Sequence, residues 1–202
     1  MICYASRTGT RRNLAALRAA GWRIMVSARG CLRSEGFAYA LDNGAWTAHT
    51  HDEPFDSAAF LRAVAALGAG ADFVVAPDIV CGGPESLDLS LSWLDGLLAV
   101  TRRVLIPVQN GMTPDDLRPH LSDRVGLFVG GDDAWKESSC AMWGRLAREV
   151  GCWLHVGRVN TARRIAICAA AGADSIDGSS VSRFAVTLPR LDNARRQTSM
   201  VV

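Results

Sequence analysis

The chain has 202 residues, 49% hydrophobic and 21% charged, which is the composition of one globular domain large enough to bury a core. It contains no run of about 18 apolar residues, and the N-terminal charges follow the apolar stretch instead of preceding it. We therefore expect a cytoplasmic protein with no membrane span and no secretory signal. The net charge of +2 excludes a polycation.

Arginine dominates the basic residues: 21 are arginine and only Lys136 is lysine. A GC-rich genome accounts for such a bias without any function. Arginine also binds phosphates bidentately. Candidate contacts for a nucleic-acid backbone are therefore the arginine pairs at 11–12, 102–103, 163–164 and 195–196.

The cysteines are scattered and form no C-x-x-C pair; they stand at positions 3, 31, 81, 140, 152 and 168. In a cytosolic chain we expect them to be reduced and buried as small hydrophobic residues. No ligand pair has the spacing of a zinc site, so we predict no metal and no cofactor. The alternative is a metal site built from Cys81 with His49, His51 or His155.

Apolar, strand-like runs alternate with helical stretches along the chain. The strand-like runs lie at about 2–5, 23–27, 37–41, 72–76, 104–108, 125–129, 153–157 and 174–177. Helical periodicity occupies 7–21, 56–70, 84–103, 113–121, 133–151 and 160–172. Thr113 is a predicted N-cap, because Pro114 and two acidic residues follow it. The segment 28–36 is too short for a full helix, and 42–55 is a long connection.

Eight apolar strands that alternate with helices predict a parallel sheet buried on both faces, and eight strands close a barrel. We therefore predict an α/β fold, a compact (β/α)8 barrel of the TIM type with parallel strands. It forms a single domain over 1–202, with 185–202 as an Arg-rich tail or a last helix. An open doubly wound sheet is the alternative.

Three aspartates, Asp42, Asp78 and Asp177, each stand at the end of a strand-like run. A strand core disfavours an ionised carboxylate, whereas the carboxyl ends of barrel strands hold catalytic residues. The sequence therefore predicts one carboxylate-lined pocket, in which two carboxylates on separate strands can serve as nucleophile and general base.

Other strand ends carry an amide, glycines and an aromatic residue. Gln109 can both donate and accept hydrogen bonds, and Gly130-Gly131 lets a flat ligand approach the backbone. Trp46 offers a stacking face of the kind that binds an unstacked base. His155, inside an apolar strand, is interpreted as a hydrogen-bonded core histidine in preference to a catalyst.

In this order the motifs resemble those of the tRNA-guanine transglycosylases and their relatives that insert 7-deazaguanines into DNA. That family shows a D-S-G-G-F type motif, an acid after the next strand, then V-Q-G, G-G and G-V-G segments. An Asp nucleophile with an Arg six residues later completes its series. Over about 37 to 183 the corresponding segments read LDNGAW, APDIV, PVQNG, FVGGDD, HVGRVNTARR and IDGSSVSR.

The resemblance implies roles for individual residues. Asp177 matches the nucleophile that attacks the sugar C1′, and Asp42 matches the acid that acts as general base on the incoming base. The family stacks an aromatic residue on that base where this chain has Trp46. The remaining implied base-binding residues are Asp78, Gln109, Gly130, Gly131, Val156 and Gly157, and the implied contacts to the nucleic-acid backbone are Arg158 and Arg183.

The chain departs from the tRNA enzymes in two respects. It is far shorter, and after Asp177 it has no cysteine or histidine with which to build their zinc motif. Asn43 and Ala45 also replace a Ser and a Gly. The resemblance therefore implies the compact, zinc-free branch, often carried by phages, which exchanges guanine in DNA for a free 7-deazaguanine of the preQ0 type.

Two other functions stay open at this point. One is an N-glycosyl hydrolase or transferase that acts on a free nucleotide. The other is a non-catalytic nucleic-acid-binding subunit that assists a catalytic partner, although such a subunit has no need of acids at both 42 and 177. The sequence also leaves open a homodimer or a partner subunit.

Overall fold

The computed structural model describes residues 1–183 and 186–198. Eight parallel strands pair in chain order, and β8 pairs with β1 to close the barrel. The strands are β1 (Ile2–Ser6), β2 (Arg23–Ser27), β3 (Tyr39–Asp42), β4 (Val74–Val75), β5 (Val104–Val108), β6 (Val125–Val129), β7 (Leu154–Val156) and β8 (Ser175–Gly178). The predicted (β/α)8 barrel is confirmed, and the pairing of β8 with β1 excludes the open sheet.

The helices lie outside the barrel, mostly between consecutive strands. They are α1 (Arg11–Ala19), α2 (Ala45–Thr50), α3 (Ser57–Leu67), α4 (Gly83–Leu98), α5 (Pro114–Leu117), α6 (Asp133–Val150), α7 (Ala162–Ala171), α8 (Ser180–Arg183) and α9 (Thr187–Thr198). Two 3-10 turns, Gly68–Gly70 and Arg118–His120, follow α3 and α5. No helix of the described residues combines the length and the apolar character needed to cross a membrane.

Local signals begin and end several helices as the sequence predicts. Thr113 and Asp116 form a capping box at the start of α5, which confirms the predicted N-cap. Gly151 and Gly172 adopt left-handed conformations at the ends of α6 and α7. The helix α2 lies inside the predicted connection 42–55; six residues are too few to show helical periodicity.

The C-terminal segment forms the helix α9, and residues 185 and 199–202 of the predicted tail lie outside the described residues. Leu188 and Leu191 bury the inner face of this helix. Beside them Asp192 accepts a hydrogen bond from Trp22 Nε1 at 3.0 Å and pairs with Arg196 at 2.8 Å. This arginine therefore already has an intramolecular partner.

The core has two parts, one between the barrel and the helices and one inside the barrel. The inner part is formed by Tyr4, Met25, Ala40, Phe73, Val75 and Leu105. The phenol of Tyr4 donates to Asp72 at 2.8 Å, and Arg23 pairs with the same carboxylate. This packing fills the barrel interior, and the pair of Asp72 and Arg23 lies at the amino ends of the strands.

Candidate active site

The carboxyl ends of the strands surround an open cavity of about 750 Å³. Met25, Val75 and Phe128 contribute apolar side chains from the barrel interior. The polar side chains of its lining include those of Asp42, Asp78, Gln109, Asp177, Trp46 and Arg158. The cavity therefore brings together most of the residues that the sequence predicts for the site, and its volume lies in the range of about 300–1,000 Å³ that is usual for small-molecule sites.

Asp177 is held by two hydrogen-bond donors at one carboxylate oxygen. Its Oδ1 lies 3.1 Å from His155 Nε2 and 3.2 Å from the backbone nitrogen of Arg158. Within the described residues, Oδ2 has no hydrogen-bond partner. Asp177 lines the cavity, so the geometry leaves one carboxylate oxygen without a protein partner beside the space where a ligand binds.

His155 is completely buried beneath Asp177, with its ring stacked on Phe128 at a centroid distance of 4.8 Å. Its Nδ1 lies 2.8 Å from Ser175 Oγ, and the same oxygen lies 2.8 Å from Trp153 Nε1. Because the indole N–H can only donate, Ser175 accepts from it and can give its own proton to His155 Nδ1. That arrangement places the imidazole proton on Nε2, directed at Asp177.

The sequence interpretation of His155 as a buried, hydrogen-bonded core histidine describes its burial correctly but misses its partner. Pleating places His155 and Gly157 on the inner face of β7 and its continuation, and the following strand brings Asp177 alongside. The contact between His155 and Asp177 results from the pairing of β7 with β8, which the sequence analysis did not include. Because of this contact, His155 belongs to the site.

Asp42 is the last residue of β3, and it titrates in the neutral range. Burial, reinforced by the negative charge of Asp177, raises the pKa of Asp42 to about 7. The backbone N–H of Gly44 donates to Asp42 Oδ2 at 3.1 Å and partly opposes this shift. Gly44 adopts a left-handed φ of 84°, as the tight D-N-G turn requires. Asp42 can therefore both hold and release a proton near pH 7.

Asp78 sits between two side-chain amides. Asn43 Nδ2 donates to its Oδ1 at 2.7 Å, and Gln109 Nε2 donates to its Oδ2 at 2.5 Å. Burial nevertheless raises the pKa of Asp78 to about 6, because the two amides only partly offset it. Asn43 Nδ2 also donates to the carbonyl of Ala76 at 2.6 Å, which holds the Asn43 side chain in place beside Asp78. Sequence reasoning did not identify this role of Asn43.

The amide of Gln109 is oriented by Asp78, which accepts a hydrogen bond from its Nε2. The oxygen Oε1 is buried and has no hydrogen-bond partner among the described residues. An unsatisfied buried acceptor costs free energy until a donor reaches it. Gln109 lines the cavity, and a small shift of its side chain would bring the unsatisfied Oε1 within reach of a ligand N–H group.

Trp46 stands at the cavity mouth on α2, with 46% of its surface exposed. The guanidinium of Arg158 lies 3.9 Å from its ring centroid. Arg158 comes from the segment after β7 and has a left-handed φ of 58°. This stack joins two sides of the mouth, and Arg158 covers one face of the indole that the sequence analysis proposes for stacking on a base.

Glycines at the predicted base-binding positions allow close packing. A Cβ on Gly131 would lie 2.6 Å from Asn110 Oδ1, and its φ is 72°. On Gly157 a Cβ would lie 2.8 Å from the Phe128 ring and 3.4 Å from Asp177 Oδ1. Gly130, Gly131 and Gly157 all line the cavity.

Two predicted residues lie elsewhere. Val156 points outward from the barrel and packs in the core beneath the helices, because side chains alternate along β7 and that of His155 points inward. Its side chain therefore does not line the cavity. Arg183 is exposed on α8, outside the cavity wall.

Lys136 is a second residue that sequence reasoning missed. It is 4% exposed, and its Nζ donates to the carbonyl of Gly157 at 2.9 Å and pairs with Asp133 at 3.2 Å. Burial lowers the pKa of this amine. Because Gly157 precedes Arg158, whose backbone N–H donates to Asp177, Lys136 supports the backbone beside the predicted nucleophile.

The cysteines are all free, and four of them are buried as predicted. Cys31 and Cys81 are exposed at the cavity, which corrects the prediction for these two, because both belong to connections and not to strands or helices. Within residues 1–183 and 186–198, no three or more His, Cys, Asp and Glu side chains form a group that could hold a metal ion.

No protein-family model matches this chain, and no curated protein shows significant similarity to it. The resemblance to the guanine transglycosylases therefore rests on the motifs alone.

Proposed function

We propose that the protein is a base-exchange transglycosylase that replaces guanine in DNA by a 7-deazaguanine of the preQ0 type. The observation that supports this best is the convergence of Asp177 and Asp42 at one cavity, where burial and the charge of Asp177 keep Asp42 able to carry a proton near pH 7. Two acids in different environments are what a two-step displacement requires.

In the first step Asp177 attacks C1′ of the deoxyribose. A C1′–O bond forms, the C1′–N9 bond breaks, and its electron pair leaves with guanine while protonated Asp42 supplies the proton. In the second step N9 of the incoming base attacks C1′, Asp42 takes its proton, and the electron pair of the C1′–O bond returns to Asp177. The exchange consumes no oxidant, reductant or water.

The recognition groups favour a purine-like ring with adjacent N–H donors. Asp78 lines one side of the cavity as an acceptor, and the Gln109 amide beside it carries the unsatisfied oxygen Oε1. A guanine edge, with its N1–H and amino group, supplies the matching donors. Gly130 and Gly131 line the cavity without side chains, and Trp46 offers a stacking face once Arg158 moves aside.

The preference for DNA over tRNA follows from the sequence after Asp177, which lacks the cysteines and histidine of the tRNA enzymes. A target guanine inside a duplex has to leave the stack to reach the cavity, at a cost of a few kcal/mol.

The decisive experiment incubates the pure protein with guanine-labelled duplex DNA, single-stranded DNA and tRNA, each with and without 7-cyano-7-deazaguanine. We expect loss of label from DNA only when the free base is present, and a protein–DNA adduct on a denaturing gel. Asp177→Asn should abolish both. Asp115→Asn, at an exposed carboxylate on α5, is the matched control and should retain them.

Other outcomes separate the competing functions. Guanine release without uptake of the free base indicates an N-glycosyl hydrolase, and release from a free nucleotide alone indicates a nucleotide-level enzyme. Release from tRNA alone keeps the chemistry and overturns the choice of polymer. Binding without any release or adduct contradicts the proposal and indicates an accessory subunit.

A further inference from the structure

Charge is distributed unequally around the mouth of the barrel. The segments that follow β7, β8, β1 and β2 (residues 157–164, 179–183, 7–14 and 28–38) contain nine arginines and one acidic residue. The segments that follow β3, β4, β5 and β6 (residues 43–60, 76–86, 109–117 and 130–136) contain nine acidic residues and one lysine. We call these two regions the arginine half and the acidic half.

The closure of the barrel makes each half continuous. Because β8 pairs with β1, the four strands that lead into the arginine half are neighbours. A contact between α1 and α8 extends this continuity to the surface, where Asn13 Nδ2 donates to the carbonyl of Ser182 at 2.9 Å. Arg12 and Arg183 are the chain neighbours of these two bonded residues.

Four arginines of this region are available for a ligand. Arg11, Arg12, Arg33 and Arg183 are exposed, and their side chains form no ion pair or hydrogen bond with any residue that the structure describes. Other arginines of the region are engaged; Arg29, for example, pairs with Glu53, and Arg164 pairs with Asp133 at 2.8 Å. The unpaired cations lie in the segments after β8, β1 and β2.

We propose that a polynucleotide strand lies across the arginine half of the mouth and that the acidic half stays free of it. This inference rests on the proposed function and specifies its substrate as a polymer and not a free nucleotide. Exposed arginines bind phosphates by displacing condensed counterions, and a row of carboxylates repels the same backbone. A net charge of only +2 is compatible with this binding, because the positive charge is concentrated on one side.

A mononucleotide does not need this surface. Its single phosphate stays near the cavity, whereas Arg11, Arg12 and Arg183 are not part of the cavity lining. These arginines extend the positive region beyond the space that one nucleotide occupies, which is the arrangement that a continuous backbone requires.

The test compares two triple variants with the same change in net charge. Arg11→Gln/Arg12→Gln/Arg183→Gln removes charge from the arginine half. Arg62→Gln/Arg118→Gln/Arg145→Gln removes three exposed arginines away from the mouth and serves as the control. Binding of fluorescent 20-nucleotide single strands and 20-base-pair duplexes is measured by anisotropy over a series of salt concentrations, and thermal unfolding checks that both variants fold.

We expect the first variant to bind about tenfold more weakly or worse, and its slope of log K against log salt to shrink by about 2. The control should keep the affinity and slope of the parent protein. Equal losses in both variants, or none in the first, overturn the proposed surface. The relative affinity for the two probes shows whether the strand is bound single or in a duplex.

Base exchange separates this inference from the function on which it rests. If the parent protein exchanges guanine but the first variant keeps its KM for DNA, the surface is wrong and the function stands. If binding depends on the arginine half but no guanine is released, the surface stands and the transglycosylase proposal fails.

Discussion

His155 Nε2 lies 3.1 Å from Asp177 Oδ1, and through Ser175 the same imidazole is linked to Trp153 just before the start of β7. The predicted nucleophile is therefore tied to a hydrogen-bonded chain that runs through the barrel interior. This chain supports His155 as a positioning residue, because its proton on Nε2 holds one oxygen of Asp177 and leaves the other for the reaction.

His155→Phe should lower kcat for base exchange by about 100-fold with little change in KM, because a carboxylate displaced by about 1 Å attacks poorly. His155→Gln, whose amide nitrogen can reach the position of Nε2, should recover most of the rate. Steady-state kinetics on labelled DNA measures both. A Phe variant that folds and keeps its kcat would show that Asp177 needs no such donor.

Guanine release should depend on the protonation of Asp42. Its pKa of about 7 means that the proton is present below neutral pH and is lost above it. The single-turnover rate of guanine release should therefore fall by about tenfold per pH unit above about pH 7. In Asp42→Asn this pH dependence should disappear together with most of the rate. If Asp42→Asn shows the same fall in rate above about pH 7, the group that titrates is not Asp42.

Asp42 should also reduce stability at neutral pH. Its pKa rises from 3.8 to about 7 on folding, so the folded state disfavours the ionised form. The destabilisation by Asp42 is absent below about pH 4, grows as the pH rises to about 7 and is constant above that pH. Asp42→Asn should therefore unfold about 8–16 °C higher than the parent at pH 8, equivalent to about 4 kcal/mol, with a smaller gain at pH 5. Calorimetry at both values of pH measures this, and a gain that does not change with pH contradicts it.

Gln109→Leu should weaken recognition of the free base. The substitution removes the unsatisfied Oε1 and also the N–H group that Asp78 accepts, so KM for 7-cyano-7-deazaguanine should rise by about 10–100-fold. Gln197→Leu, at the other glutamine of the chain, is exposed on α9 and is the control. An unchanged KM in Gln109→Leu would place base recognition elsewhere.

Trp46→Leu should raise KM for the same base by about 10-fold or more, because stacking on an aromatic face contributes about 1–3 kcal/mol. Trp46→Tyr keeps an aromatic face and should recover most of the affinity. Arg158→Gln should expose Trp46 and increase quenching of its fluorescence by acrylamide before any ligand binds. If Trp46→Tyr is as impaired as Trp46→Leu, stacking is not the role of this residue.

Much of this architecture is readable from local patterns. All eight strands lie where the apolar runs predict them, within two residues at each end, because buried parallel strands need such runs. Thr113, Gly151 and Gly172 act through bonds or backbone angles within a few residues, so their effects on helix ends are also predictable. The position of an aspartate at a strand end is likewise a local property of the chain.

The hydrogen bonds between side chains of the site depend on the tertiary structure. His155 meets Asp177, and Gln109 meets Asp78, only because neighbouring strands align residues that are 22 and 31 positions apart. The direction of Val156 and the pKa of Asp42 likewise depend on strand pleating and on burial near another carboxylate. Local patterns in the chain are enough to predict the eight strands and the acids at the strand ends. Barrel closure decided their distances, protonation and the separation of charge at the mouth, since these depend on residues far apart in the chain.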